Sequence, residues 1–340
     1  MDTEFLKAGR TIVETCSRLM PSETATIVTD IKTKQIGEVV KKYAENITKT
    51  VNFHILEDYE ERPMTKIPQE IKKDVKKSDV TYLAVEGHPG ELPKFRGPLV
   101  QLAITNGREI HMPNIDEKIM KTGMQADYYK IASLTYLITG IAVKSSTAKV
   151  ITPQGTDLKV TLSKKMKWVP DTGFLWYKGM WGNLPAGEAF TCPENVEGVM
   201  VIDGTLGDFF CEKYGDLKKT PITIPITNSR AEIEKIACEN KELLNEFKGY
   251  LRQDKNANRV GEFACGTNKS LNRLIGNLLQ DEKFPGVHLA FGDAYAGFTG
   301  ANWGSSGHVD GIMKNCSLWF DDLLVLENGK YKAKEILTFD

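Results

Sequence analysis

The sequence lacks long apolar runs, an excess of charge of either sign, and cysteines spaced C-x-x-C. No run approaches the ~18 consecutive apolar residues that a membrane helix needs, so we expect no membrane partner. The 44 Lys and Arg residues nearly balance the 45 Asp and Glu residues, which leaves no electrostatic footprint for nucleic acid. We expect the six cysteines to be free thiols. Any metal would therefore be held by oxygen and nitrogen ligands.

Two further signals are missing. The turn after the first strand pattern, residues 29–32, has neither G-x-G-x-x-G nor G-K-[ST], so nothing indicates a phosphate-binding loop. Residues 1–20 carry charges throughout and lack the basic region and uninterrupted apolar core of a secretory signal. We therefore expect a cytoplasmic protein.

The first part of the chain alternates strand and helix patterns, which predicts a mostly parallel sheet covered by helices. A length of 340 residues favours two domains over one. We therefore predict an open α/β domain over residues 1–145. Strand patterns lie at 25–30, 51–56 and 80–86, and helical patterns at 3–20, 32–45, 68–77 and 116–141.

The remainder of the chain, residues 146–340, is rich in strand patterns with helical insertions. Residues 147–152 and 157–162 flank Pro153-Gln154-Gly155-Thr156, which predicts a hairpin turn. Residues 229–252 read as a helix. We therefore predict a β-rich α+β domain, and we expect it to be the metal-binding catalytic domain because candidate ligands cluster in it.

The most informative of these candidates is the tripeptide His308-Val309-Asp310, since the chain has only five histidines. Side chains two apart on a strand point to the same face, so His308 and Asp310 can reach one point in space. An imidazole and a carboxylate directed together form half of a typical first-row metal site. The alternative is a histidine hydrogen-bonded to an aspartate on a sheet surface.

Several turn-flanked segments of this region offer further metal-capable side chains. Taken singly, each has an ordinary explanation: Glu188 and Glu282 can be surface residues, Glu262 can pair with Arg259, and His288 can lie in the core. As a set, four carboxylates and two imidazoles suit two divalent ions bridged by a shared carboxylate and a water. The candidate ligands are Glu188, Glu262, Glu282, His288, His308 and Asp310.

Four of these segments, NLPAGEAFTCP, RVGEFACGTN, GNLLQDEKFPGVHLAFG and GHVDGIM, resemble the ligand-bearing segments of the thermophilic metalloprotease (M29) family of aminopeptidases, of the aminopeptidase T and aminopeptidase S type. The resemblance implies the six ligands above, with Glu262 bridging the metals, and places the active-site tyrosine at Tyr295. The spacing from Glu282 to His288 is one residue longer than the family pattern, and the segment after Tyr295 is unusually rich in glycine.

The resemblance implies a homodimeric aminopeptidase that hydrolyses the N-terminal peptide bond of a peptide with a free amino terminus. Two divalent ions, zinc, cobalt or manganese, would activate the attacking water. Glu262 and Tyr295 are the candidate catalytic residues, and the general base stays unassigned.

Two alternatives remain open. The same superfamily contains single-iron, ring-cleaving dioxygenases that act on dihydroxypyridines and use two histidines and one carboxylate. In that branch a histidine stands at the position of Glu262, so the glutamate favours the hydrolase. The other alternative is a metal-binding homologue without turnover.

Overall fold

Buried, β-branched runs form the first sheet of the computed structural model, which describes residues 2–332. Five of the six residues of TATIVT and all six of VTYLAV are buried, as expected of parallel strands covered on both faces. The sheet is parallel throughout, in the order β2-β1-β3-β4-β8. Its strands are β1 (Thr24–Thr29), β2 (Thr50–Ile55), β3 (Val80–Val85), β4 (Arg108–Pro113) and β8 (Trp181–Asn183).

This sheet belongs to a first compact unit, which comprises the chain up to Tyr128 and the segment Gly173–Ala186. Apolar residues of α3 and α4 pack with Val28, Leu83 and Val85 of the sheet in one buried cluster. The α-helices are α1 (Thr3–Arg10), α2 (Lys34–Glu45), α3 (Gln69–Val75), α4 (Gly97–Asn106) and α5 (Glu117–Lys121), with π-helical segments at Thr11–Cys16 and Leu92–Arg96 and 3₁₀ turns at Leu56–Asp58 and Gly123–Gln125.

The second unit comprises Tyr129–Thr172 and the chain from Gly187 onward, and it holds two antiparallel sheets. The larger sheet has the order β12-β11-β10-β6-β5-β16-β17-β18. Its strands are β5 (Thr147–Ile151), β6 (Asp157–Thr161), β10 (Asn195–Ile202), β11 (Ile222–Thr227), β12 (Arg230–Ala231), β16 (Ser317–Phe320), β17 (Leu323–Glu327) and β18 (Lys330–Tyr331).

The smaller sheet of this unit has the order β15-β14-β13-β9-β7 and carries most of the candidate ligands. Its strands are β7 (Val169–Asp171), β9 (Glu188–Thr191), β13 (Val260–Gly266), β14 (Gly286–Gly292) and β15 (His308–Met313). The α-helices are α6 (Tyr128–Lys144), α7 (Asp208–Tyr214), α8 (Lys241–Tyr250), α9 (Leu278–Asp281) and α10 (Ala296–Thr299), with 3₁₀ turns at Leu217–Lys219 and Ile233–Lys235.

The structure confirms the predicted fold class, a parallel α/β unit with a β-rich α+β unit, and the predicted hairpin between β5 and β6. The domain boundary at residue 145 stays a prediction. Two long helices predicted from periodicity were wrong. Residues 116–141 break twice: α5 ends at Lys121, where Thr122 leaves helical geometry, and an extended Ala126 separates the 3₁₀ turn from α6. Residues 229–252 are helical only in α8 and the short 3₁₀ turn, because Ala237 pairs as a bridge with Thr223.

All six cysteines are free and buried, as the sequence predicts. Among the described residues, no helix combines the length and apolar character needed to cross a membrane.

Candidate metal centre

Strand alternation sorts the smaller sheet into an apolar face and a polar face. Phe263, Leu289 and Val309 belong to the hydrophobic core of the unit. Their neighbours Glu262, His288, Ala290, His308 and Asp310 therefore point to the opposite face, because successive side chains of a strand alternate. Four of the six candidate ligands, Glu262, His288, His308 and Asp310, thus lie together on the face of the sheet directed away from this core.

Register brings these side chains side by side, and small residues leave room between them. Glu262 of β13 lies opposite Ala290 of β14, and Ala290 lies opposite Asp310 of β15. His288 pairs with Ala264, and Glu188 of β9 pairs with Gly266. Ala264 and Ala290 carry only a methyl group, so they leave room between the carboxylates and imidazoles. Gly266 has a different role, because a Cβ atom there would collide with the Phe284 carbonyl oxygen.

Glu262 lies between the two imidazoles. Its Oε1 is 3.4 Å from His288 Nε2, and its Oε2 is 3.7 Å from His308 Nε2. Asp310 Oδ1 lies 3.4 Å from His308 Nε2 and 4.0 Å from His288 Nε2, and Glu188 Oε2 lies 3.5 Å from His288 Nε2. One carboxylate therefore faces both imidazoles with different oxygens, which is the position that a bridging ligand takes.

Two atoms at this position have no hydrogen-bond partner within the described part of the chain, although both are buried: Glu188 Oε2 and His288 Nε2. Burying a polar atom without a partner is costly. One ligand atom each from Glu188, Glu262 and His288 lie within 4.8 Å of one another, close enough to hold a metal ion. An imidazole with two carboxylates suits a divalent first-row ion, so the residues present fit such an ion.

His308 is oriented by its backbone neighbours. Its Nδ1 lies 3.0 Å from the carbonyl oxygen of Asp293, which can only accept, so Nδ1 carries the proton. The hydroxyl of Tyr250 accepts from the His308 N–H at 2.9 Å and donates to the His308 carbonyl at 3.1 Å. These contacts leave Nε2 directed at Glu262 and Asp310, which is how protein environments usually present a histidine to a metal.

The titration behaviour of the two imidazoles reflects this crowding of acids. Burial lowers the pKa of His288, but Glu262 and Glu188 more than offset it and raise the pKa to about 9. Burial likewise opposes protonation of His308, whereas Asp310 and Glu262 raise its pKa to about 10. Without an ion, the imidazoles themselves supply the positive charge that the carboxylates require.

Tyr295 lies at the edge of this group. Its ring centroid is 4.6 Å from that of His308, and its φ of +47° is in the left-handed region that non-glycine residues seldom adopt. Such backbone outliers concentrate at functional sites. Burial, then the charges of Glu262 and Asp310, raise the pKa of Tyr295 well above its ordinary value. Its hydroxyl therefore keeps its proton and can act as a donor.

Glu282 is the candidate ligand that contacts a lysine and no imidazole. Its Oε1 lies 2.8 Å from the Nζ atom of Lys283, and no ion pair joins it to His288 or His308 among the described residues. Burial raises the pKa of Glu282 to about 8, although the Lys283 charge opposes the shift. The structure thus gathers Glu188, Glu262, His288, His308 and Asp310 around one space, and sets Glu282 beside a lysine.

Sequence reasoning missed Lys283, a fully buried lysine whose Nζ also lies 2.6 Å from Glu188 Oε1. The signal was present in the segment Asp281-Glu282-Lys283-Phe284, where the lysine directly follows a candidate ligand and precedes His288 by five residues. Lysines are almost always exposed, and a buried one has a charged partner.

Comparison with known proteins gives one family and a shared fold. The family model described as thermophilic metalloprotease (M29) matches residues 142–330, more than half of the chain and the whole of the smaller sheet. No curated protein matches the sequence.

Two solved structures show the likeness of fold. 2,5-Dihydroxypyridine dioxygenase from Pseudomonas putida KT2440 has a TM-score of 0.72 at 14% identity, over 99% of this chain and 99% of that chain. Wild-type AmpT from Thermus thermophilus has a TM-score of 0.68 at 16% identity, over 97% of this chain and 99% of that chain. At these identities the likeness establishes the fold alone.

Proposed function

The chain belongs to the thermophilic metalloprotease (M29) family, and from this we propose that it is an aminopeptidase that hydrolyses the first peptide bond of peptides with a free amino terminus. The family makes it a metallopeptidase; the preference for the amino terminus is our proposal. The observation that carries it is the placement of Glu262 between His288 and His308, at 3.4 and 3.7 Å. A carboxylate in that position, facing one imidazole with each oxygen, suits a ligand shared by two ions.

We assign two divalent ions, zinc, cobalt or manganese, to this site. Glu188, Glu262 and His288 would hold one, and Glu262, His308 and Asp310 the other. Bound ions supply Lewis acidity there, lowering the pKa of a water from about 15.7 towards 7 and polarising a carbonyl. Glu188 Oε2 and His288 Nε2, which are buried without a hydrogen-bond partner in the described part of the chain, support the first of these positions.

Tyr295 has the donor role in this proposal. Its hydroxyl keeps its proton, because burial and the carboxylates oppose its ionisation. A donor directed at the developing oxyanion is worth about 2.7–4 kcal/mol in the transition state. We therefore expect Tyr295→Phe to lower kcat far more than it changes metal content.

The test is hydrolysis of matched peptides by the full chain loaded with zinc, cobalt or manganese. Each peptide is assayed with a free and with an acetylated amino terminus, and the products are identified by mass spectrometry. We expect release of the first residue from the free peptides only. Glu262→Gln should abolish activity, and Glu239→Gln, at an exposed glutamate of the same unit, should leave it unchanged. Equal cleavage of the acetylated peptides contradicts an aminopeptidase.

A second candidate is a single-iron dioxygenase that opens dihydroxypyridine rings. Asp310 Oδ1 lies within 4.0 Å of both imidazoles, so His288, His308 and Asp310 offer the two-histidine, one-carboxylate set of such enzymes. Glu262 between the imidazoles favours the peptidase. Oxygen consumption by the iron-loaded chain with 2,5-dihydroxypyridine, without peptide hydrolysis, would favour the dioxygenase.

The homodimer and the cytoplasmic location implied by the resemblance stay predictions. Light scattering of the metal-loaded chain measures the oligomeric state, and fractionation of the native cells shows the cellular location.

A further inference from the structure

Lys283 carries a buried positive charge surrounded by acids. Its Nζ atom lies 2.6 Å from Glu188 Oε1, 2.8 Å from Glu282 Oε1 and 3.6 Å from Asp171 Oδ2. The lysine itself has no exposed surface. The ammonium therefore occupies an acidic pocket of its own, beside the space that the two imidazoles share.

Glu188 lies between the Lys283 ammonium and the space that the imidazoles share, and it directs one carboxylate oxygen to each. Oε1 accepts from Lys283, whereas Oε2 faces His288 Nε2 at 3.5 Å and has no hydrogen-bond partner in the part of the chain that the structure describes. The lysine thus fixes one oxygen and leaves the other for an ion. Orienting contacts of this kind determine how a carboxylate binds a metal.

Glu282 lies on the lysine side of this division. Its ion pair is with Lys283, and none connects it to either imidazole among the described residues. Glu188 Oε2 faces His288 at 3.5 Å, but neither oxygen of Glu282 lies within 4.0 Å of an imidazole nitrogen. To share an ion with the imidazoles, the Glu282 carboxylate would have to move away from the buried ammonium, and separating a buried pair is strongly unfavourable.

We propose that the Lys283 ammonium is the resident cation of the pocket formed by Asp171, Glu188 Oε1 and Glu282, where it excludes a metal ion and removes Glu282 from the ligand set. Lys283 is then a positioning residue that presents Glu188 to the metal through Oε2. The inference rests on the metal site of the proposed function, but it concerns which acids bind the ion and is independent of the substrate.

The first test compares Glu282→Gln with Glu188→Gln. Glutamine keeps the shape of the side chain and still accepts from Lys283. Manganese bound per chain is measured by equilibrium dialysis and mass spectrometry of the metal, without peptide. We expect Glu282→Gln to keep the wild-type stoichiometry and an affinity within threefold, and Glu188→Gln to lose at least tenfold. Loss of an ion, or of tenfold affinity, in Glu282→Gln overturns the proposal.

The second test removes the ammonium with Lys283→Met, which has similar length and no charge. The variant removes the lysine charge from between three carboxylates, so we expect one additional manganese ion per chain relative to the wild type. A lysine with a purely structural role predicts a less stable chain with an unchanged metal count, and that result also overturns the proposal. Lys149→Met, at an exposed position of β5, is the matched control.

These outcomes are separable from those of the proposed function. Metal uptake by the wild-type chain, and peptide hydrolysis by it, test the proposed function. Only the differences between the variants and the wild type test the role of Lys283. Should Lys283→Met fail to fold, Glu282→Gln still decides the question, because it changes one atom and keeps the lysine.

Discussion

His288 is the residue on which the metal assignment can be tested most directly. Its Nε2 is buried, has no hydrogen-bond partner among residues 2–332, and lies within 4.0 Å of three carboxylates. Mutating a residue that hydrogen-bonds to a metal ligand typically lowers metal affinity about 10–100-fold. Removing a ligand itself should lower the affinity by more. We expect His288→Ala to weaken zinc binding at least about 100-fold in chelator competition. His54→Ala, which removes a buried histidine paired with Asp74, should leave zinc affinity unchanged.

The raised pKa values of the imidazoles predict that metal binding releases protons. At pH 8 the metal-free chain holds His288, with a pKa of about 9, and His308, with a pKa of about 10, mainly in the protonated form. A metal requires Nε2 without its proton, so apparent affinity should rise between pH 7 and pH 9. Titration calorimetry in two buffers of different ionisation enthalpy measures the protons released. Binding heats that do not depend on the buffer contradict this prediction.

For individual residues, the sequence predicted which side chains lie close together better than it predicted which group each acid contacts. The period of two in a strand is sufficient to bring His308 and Asp310 together, and the structure places them 3.4 Å apart. Whether a given acid faces a metal position or a lysine depends on side chains from distant strands. Glu188 and Lys283 are 95 residues apart, so no local pattern could show that they share a hydrogen bond.

Among the elements, α8 contacts the start of β15 through the side chain of Tyr250. The Tyr250 hydroxyl at the end of α8 bridges the backbone N–H and carbonyl of His308. Tyr250→Phe leaves both groups without this partner, and an unsatisfied buried group costs about 1–3 kcal/mol. We expect a loss of that size in the free energy of unfolding in urea, together with weaker metal binding. Tyr136→Phe, at an exposed tyrosine of α6, should change neither.

The errors at the level of elements have local causes. Apolar spacing predicted one helix over 116–141, but periodicity cannot show that the backbone becomes extended at Ala126. Strand β8 has only three residues, in an aromatic and glycine-rich segment, and it exists because it pairs with β4 some 70 residues earlier in the chain. Long, buried, β-branched runs such as β1 and β3 were predictable because their composition alone fixes their environment.

On the scale of the whole molecule, the fold does not determine the function. The chain shares its fold, over nearly its full length, with a solved dioxygenase and a solved AmpT. A fold common to a dioxygenase and AmpT cannot select the chemistry, and the side chains on the polar face of the smaller sheet must do so. Glu262 between two imidazoles therefore distinguishes the candidate chemistries, which the shared fold does not.

The last prediction concerns stability, since an ion that binds only the native state stabilises the unit that holds its ligands. The site draws its side chains from β9, β13, β14 and β15, and these ligands come together only when the sheet is formed. The gain is about 2.7 kcal/mol at a free ion concentration 100 times Kd. We expect the Tm in thermal scans to rise with the logarithm of added zinc, cobalt or manganese and to fall again with a chelator. His288→Ala should lose most of this dependence, whereas Glu239→Gln should retain it. Any ligand that binds only the native state raises the Tm. If none of the three metals changes the Tm of the wild-type chain, the metal affinity is too low for a resident ion.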